Sequence, residues 1–149
     1  MPSFTGSYNP SVGPLTQVCI VPYSDSANVP RKFVEESLYF FAALIDTGAS
    51  TTCLSQKVVD TLKMEPVGQA PMMGATGQKT VNQYAFQVGF VHGQQQMSDG
   101  TFNGHMATVP TQGMQFDAGG SAFEVLLGRD VLCQGLFTMS FDGHWCFSF

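Results

Sequence analysis

The feature that constrains this chain most is an apolar run, Leu38 to Ile45, that stops abruptly at Asp46-Thr47-Gly48. The run is too rich in aromatic and branched residues to be a solvated loop and reads as a buried strand. The acid, hydroxyl and glycine at its end read as a tight turn that delivers one carboxylate. Ala49, Ser50, Thr51 and Thr52 follow, so the chain around Asp46 can be approached closely and is well supplied with hydrogen-bonding groups. The pattern alone supports two readings: a carboxylate positioned for chemistry, or a strand ending in an Asx-turn.

The rest of the chain has the punctuation of a β protein. Gln17 to Tyr23 reads as a first strand, Ser24 to Lys32 as a loop, and the apolar run resumes at Phe33. Ser55 to Leu62 suits a short helix or turn capped by Ser55, with Val58, Val59 and Leu62 facing inward. Met72 to Gln83 contains Gly74-Ala75-Thr76-Gly77, and Tyr84, Phe86, Val88 and Phe90 alternate beyond it, which predicts a long hairpin. Any exposed β-turn would also look like Gly74 to Gly77. From His92 to Ala122 the sequence is Gly- and Gln-rich, and we expect one or two surface loops there, with Met106 to Val109 a candidate strand. His92 and His105 read as surface or packing residues. Phe123 to Leu127 is a further apolar strand. Phe137, Met139 and Phe141, then Trp145, Phe147 and Phe149, share one face if Asp142, Gly143 and His144 form an odd-numbered loop.

Composition narrows the class. At 149 residues and 44% hydrophobic, the chain suits one domain with a real core. Short apolar runs, abundant Gly and Phe, and no helical heptads make it all-β. Residues 1–16, rich in Pro, Gly, Ser and Asn, are expected as an N-terminal arm or loosely docked segment, and 17–149 as the domain proper. The net charge is -5 with only six scattered Lys and Arg, which argues against nucleic acid or an anionic membrane as partner. No segment is long enough to cross a bilayer and no leader pattern opens the chain, so a cytoplasmic location is expected. Cys19, Cys53, Cys133 and Cys146 are widely spaced in apolar contexts and read as reduced thiols; no metal and no cofactor is implied.

Taken in order, three elements resemble the retropepsin-type aspartic peptidases: Asp46-Thr47-Gly48-Ala49 after its apolar strand, the Met72 to Gln83 hairpin, and Val125-Leu126-Leu127-Gly128-Arg129-Asp130. The resemblance covers about Phe40 to the end. It implies a single-domain closed barrel with a flap hairpin and one short C-terminal helix. It further implies that Asp46 is catalytic, that Thr47 braces two active-site loops across an interface, and that Gly48 and Ala49 support the loop. Ser50, Leu126 and the flap residues Gly74, Ala75, Thr76 and Gly77 would contact substrate, while Gly128, Arg129 and Asp130 would serve structurally, the Arg and the acid through buried polar contacts. Many viral relatives place an acid where this chain has Ser50, which leaves the partner of Arg129 open.

The chemistry of this class needs two carboxylates that share one proton. Only one Asp-Thr-Gly occurs, and Asp60, Asp117 and Asp130 lack its context, so the second must come from Asp46 of an identical subunit. The expected function is a homodimeric endopeptidase acting on extended, largely apolar peptide segments. A dimeric, inactive peptide-binding or interaction module is the alternative. A phosphate-binding loop of a sugar-kinase or actin-like ATPase would need two α/β domains, for which the chain is too short and too poor in helical periodicity.

Overall fold

Alternation of buried and exposed side chains, the mark of a strand with one face on a core, runs through most of the chain. The computed structural model describes residues 2–23, 39–74, 76–96, 98–99 and 102–149. The expected loop at 24–32, the start of the apolar run at 33–38, and Ala75 lie outside the described residues. The strands are β1 (Ser3–Asn9), β2 (Gly13–Pro22), β3 (Phe40–Ile45), β4 (Cys53–Ser55), β5 (Gly68–Gly74), β6 (Gly77–Gln96), β7 (Phe102–Phe116), β8 (Val125–Leu127), β9 (Leu136–Met139) and β10 (His144–Ser148). The helices are α1 (Gln56–Thr61) and α2 (Arg129–Leu132).

The strands form one sheet in the order β5-β6-β7-β4-β8-β3-β2-β1-β10-β9. A further antiparallel pairing joins β2 to β6, so that β2, β3, β8, β4, β7 and β6 make a ring around the core. Inside it Tyr84, Phe86, Val88 and Phe90 of β6 are all buried, as their alternation predicts, and pack with Val18, Ala43, Leu54, Val125 and Leu127. Each such large apolar side chain contributes about 1.5–3 kcal/mol by leaving water.

The helix expected near the C-terminus is α2, and α1 is a second one. Ser55 is its N-cap, accepting from the Val58 amide, and Val58 and Val59 are buried. The segment expected as an arm enters the sheet: β1 pairs with β10 from Ser3↔Ser148 to Ser7↔His144 and turns into β2 through Tyr8↔Pro14 and Asn9↔Gly13. Its small polar residues lie on the outer face, while Phe4 packs against Phe90 and Phe149.

Two expectations are corrected. The region 92–116 is mostly strand, the continuation of a long β6–β7 hairpin paired from Gln83↔Met114 to Gln96↔Phe102. Gly and Gln have low strand preference, and here cross-strand pairing overrides it. At the C-terminus the loop is odd-numbered but sits one residue earlier, at Phe141, Asp142 and Gly143, because Ser140 bonds the His144 carbonyl at 2.9 Å. Met139 therefore faces Trp145 and Phe137 faces Phe147, and Phe141 is left fully exposed.

Candidate active site

Asp46 stands where β3 ends. Its amide donates to the Leu127 carbonyl at 3.0 Å, extending the parallel β3–β8 pairing of Ala43↔Val125, Leu44↔Leu126 and Ile45↔Leu127 by one residue. The turn that follows closes on the aspartate itself. Its Oδ1 accepts from the Gly48 amide at 2.8 Å and the Ala49 amide at 3.3 Å, and its carbonyl accepts from the Ala49 amide at 3.2 Å. Oδ2 has no hydrogen-bond partner among the described residues. A Cβ on Gly48 would lie 3.1 Å from Oδ1, a tight contact.

Behind this turn lies a second layer of polar contacts. The Arg129 amide donates to the Ala49 carbonyl at 2.9 Å, and the Gly128 amide donates to Thr52 Oγ1 at 3.1 Å. Thr52 is fully buried; its amide lies 3.0 Å from both Asp130 oxygens, and its hydroxyl donates to Oδ1 at 2.7 Å. The Thr111 hydroxyl and the Val131 amide also donate to Asp130. The carboxylate thus ties the turn after Asp46, β7 and α2 together. Gly128 is tightly enclosed at its place, since a Cβ would fall 2.5–2.8 Å from the backbone of Thr51 and Thr52.

The two charged residues of Gly128-Arg129-Asp130 part company. Asp130 makes the expected partly buried contacts, whereas Arg129 is exposed and its side chain has no hydrogen bond or ion pair among the described residues. With Ser50 in place of an acid, and itself exposed, no carboxylate among the described residues draws the guanidinium inward. Thr47 and Gly48 are exposed, Ala49 and Leu126 half-buried, and Leu126 sits between Leu44 and Cys53 across β8. The hairpin of β5 and β6 closes with Gly74 opposite Gly77, whose φ of +110° suits glycine; Thr76 at its tip is exposed.

Sequence reasoning missed Thr52, Thr111 and the Ser55–Glu124–Lys57 group. Glu124, just before β8, accepts from the Ser55 hydroxyl at 2.5 Å and Lys57 at 3.1 Å. Those contacts, the Ser55 one foremost, hold its carboxyl below the usual glutamate range. The third hydroxyl in Ser50-Thr51-Thr52 was the only available signal for Thr52.

Thiol chemistry is disfavoured beside Asp46. Burial pushes the Cys53 thiol up to about 11, with the negative charges of Asp130 and Asp46 acting in the same direction, and burial also raises Cys19 to about 11. At neutral pH both stay protonated and unreactive. Among the described residues no group of three or more His, Cys, Asp or Glu could hold a metal ion, and no helix is long and apolar enough to cross a membrane.

A family model described as Aspartyl protease matches residues 39–131. No curated protein matches the sequence. Among solved structures, the fold is similar to that of a retropepsin-like aspartic protease from Rickettsia conorii, with 15% identity and a TM-score of 0.54 over 98% of this chain and 89% of that one. EIAV protease complexed with the inhibitor HBY-793 is 18% identical, with a TM-score of 0.49 over 87% of this chain and 93% of that one, a likeness too loose to argue from. An Asp-Thr-Gly turn delivered by a buried strand, braced from behind by a Gly-Arg-Asp helix and matched by that family over more than half the sequence, places the chain in the aspartyl protease family, with an all-β retropepsin-like fold.

Proposed function

We propose that this protein is an aspartic endopeptidase that works as a homodimer, with Asp46 of each copy forming the catalytic pair. The observation that carries this reading is the division of labour on the Asp46 carboxylate: Oδ1 is held by two backbone amides, and Oδ2 has no partner among the described residues. Fixing one oxygen orients the group, and the other remains available for water or a shared proton. Two such carboxylates at contact distance cannot both ionise, so one keeps its proton. The ionised partner takes a proton from the bound water as it attacks the scissile carbonyl, and the protonated partner donates to the carbonyl oxygen. The proton then passes to the leaving amine.

In this reading the β5–β6 hairpin is the flap. Gly74, Ala75, Thr76 and Gly77 at its tip bring small residues and backbone groups over an extended peptide, and closure excludes water. Thr47 braces the paired loops, Ser50 contacts the peptide backbone, and Leu126 lines an apolar side-chain pocket. Gly128 and Asp130 hold the turn in register, with Arg129 contributing its amide. The free cysteines agree with a reducing compartment such as the cytoplasm.

Incubating the wild-type protein with a peptide library and sequencing the products tests the assignment. We expect cuts flanked by apolar side chains in extended segments. A folded dimer that binds library peptides and cuts none would instead favour the interaction module.

A further inference from the structure

Two of the chain's three histidines, His92 and His105, stack on one another and have no part in the site described above. We propose that they form a two-imidazole site for a divalent late transition-metal ion such as zinc(II), at the far end of the β6–β7 hairpin. The metal site and the peptidase reading stand or fall separately.

β6 and β7 run antiparallel, and His92 and His105 lie directly opposite one another in the register. Side chains opposed in this way start about 4.5–5.5 Å apart at Cβ. Here the ring centroids are 5.7 Å apart and the ring planes 26° from parallel. A tetrahedral ion bonded to two imidazole nitrogens at about 2.0–2.1 Å holds those nitrogens about 3.4 Å apart. An imidazole nitrogen lies just over an ångström from its ring centre, so two rings at this separation reach that spacing by turning about χ2, with the backbone left in place.

The surroundings keep the pair available. His92 is half-buried, with its ring edge-on to Phe4 at 6.5 Å, so packing holds one of the two ligands in place. His105 is exposed, and packing against Phe4 gives no reason for a second imidazole across from the first. Neither ring makes a hydrogen bond among the described residues, which leaves the nitrogen lone pairs free. The ladder shifts register just past the pair, between His92 and Gln95, and Gly93 there has a φ of +62°. Such bulges terminate pairing and re-aim side chains. No Lys or Arg occurs between Lys79 and Arg129 in a chain of net charge -5. An incoming cation therefore meets no fixed positive charge from the hairpin beyond Lys79.

A closed structural zinc site takes four protein ligands. Two imidazoles, with water in the other positions, make an open and exchangeable site. Its selectivity follows from the donors: imidazole suits zinc, copper and nickel, whereas magnesium and calcium seek oxygen. The effect on the fold is mechanical. Gly and Gln in this extension carry little strand preference, and an ion bonded to both strands ties them together at the point where the sequence does so least. Binding the paired strands in preference to separated ones stabilises the hairpin by mass action.

Zinc(II) is titrated calorimetrically into the untagged, chelator-treated chain carrying Cys133→Ser and Cys146→Ser, which removes the two thiols that are not buried. We expect one ion per chain and a rise of several degrees in melting temperature at saturating zinc. His92→Gln and His105→Gln should each raise the dissociation constant at least about tenfold. The double variant should be no worse than either single one, since a two-point chelate is lost with its first ligand. His144→Gln, which changes the third histidine, should bind as the unsubstituted chain does, and calcium(II) should give neither heat nor a shift. Should His92→Gln fail to fold, His105→Gln, at an exposed position, carries the comparison. Zinc binding that persists unchanged in the His105→Gln chain, an adventitious ion only, would overturn the site, as would a parent chain that binds no zinc.

Discussion

Thr52 and Asp130 lie 78 residues apart and are joined through both the backbone amide and the hydroxyl of the threonine, at 3.0 and 2.7 Å. Through this contact the C-terminal helix governs a turn formed much earlier in the chain. Thr52→Val removes the hydroxyl from a fully buried position, takes one of three donors from Asp130 Oδ1 and leaves the Gly128 amide without its acceptor. We predict a loss of about 1–3 kcal/mol in urea unfolding, with Thr52→Ser close to wild type. Equal losses in the two variants would show that the hydroxyl is not what matters.

Gly128 tests the same junction sterically. A methyl group there meets the Thr51 and Thr52 backbone at 2.5–2.8 Å, and backbone cannot swing aside as a side chain can. Gly128→Ala should destabilise by about 1–3 kcal/mol and reduce activity with it. Gly74→Ala, where the nearest atom is 4.0 Å away, should leave stability nearly unchanged. Thermal melts of the two variants side by side decide the matter.

Glu124 gives a pH dependence with a definite sign. Its folded-state carboxyl is held below the ordinary value of 4.5 by Ser55 and then Lys57, so the folded state binds a proton less readily than the unfolded chain. The stabilisation is fully present above about pH 4.5 and is lost as pH falls through the lower folded value. Glu124→Gln should remove this part of the acid limb, making the loss of stability below pH 4.5 shallower. Urea midpoints from pH 7 to pH 3 measure it; parallel curves for the two proteins would contradict the coupling.

Much of the fold could be read where side chains alternate between core and solvent. Tyr84, Phe86, Val88 and Phe90 announced β6, and Ser55 with Val58 and Val59 announced α1. The long β6–β7 extension was illegible because Gly and Gln carry no strand signal of their own; partner pairing holds it. The same limit applied to the site. Asp46-Thr47-Gly48 marks itself by contrast with the apolar run before it. Thr52, Thr111 and Glu124 matter through partners 78, 19 and 69 residues away, and no local pattern records such distances. For Arg129 the sequence left the partner open because Ser50 stands where an acid would be, and the side chain is exposed.

Dimerisation should be visible in the kinetics. With one Asp-Thr-Gly per chain, each copy supplies half of the proposed pair. Specific activity should be constant at high concentration and fall on dilution through the dissociation constant measured by sedimentation. Concentration-independent activity in a monomeric sample would place a second carboxylate within the chain.

The most direct measurement is peptide cleavage by Asp46→Asn. Asparagine keeps an Oδ1 that can accept from the Gly48 and Ala49 amides, so the turn should survive and the circular dichroism spectrum and melting temperature should stay near wild type. Cleavage should fall to background, since neither the general base nor the shared proton remains, and mixing with excess mutant should suppress wild-type activity by forming mixed dimers. A folded Asp46→Asn protein that turns over peptide at a rate comparable to wild type would contradict the account.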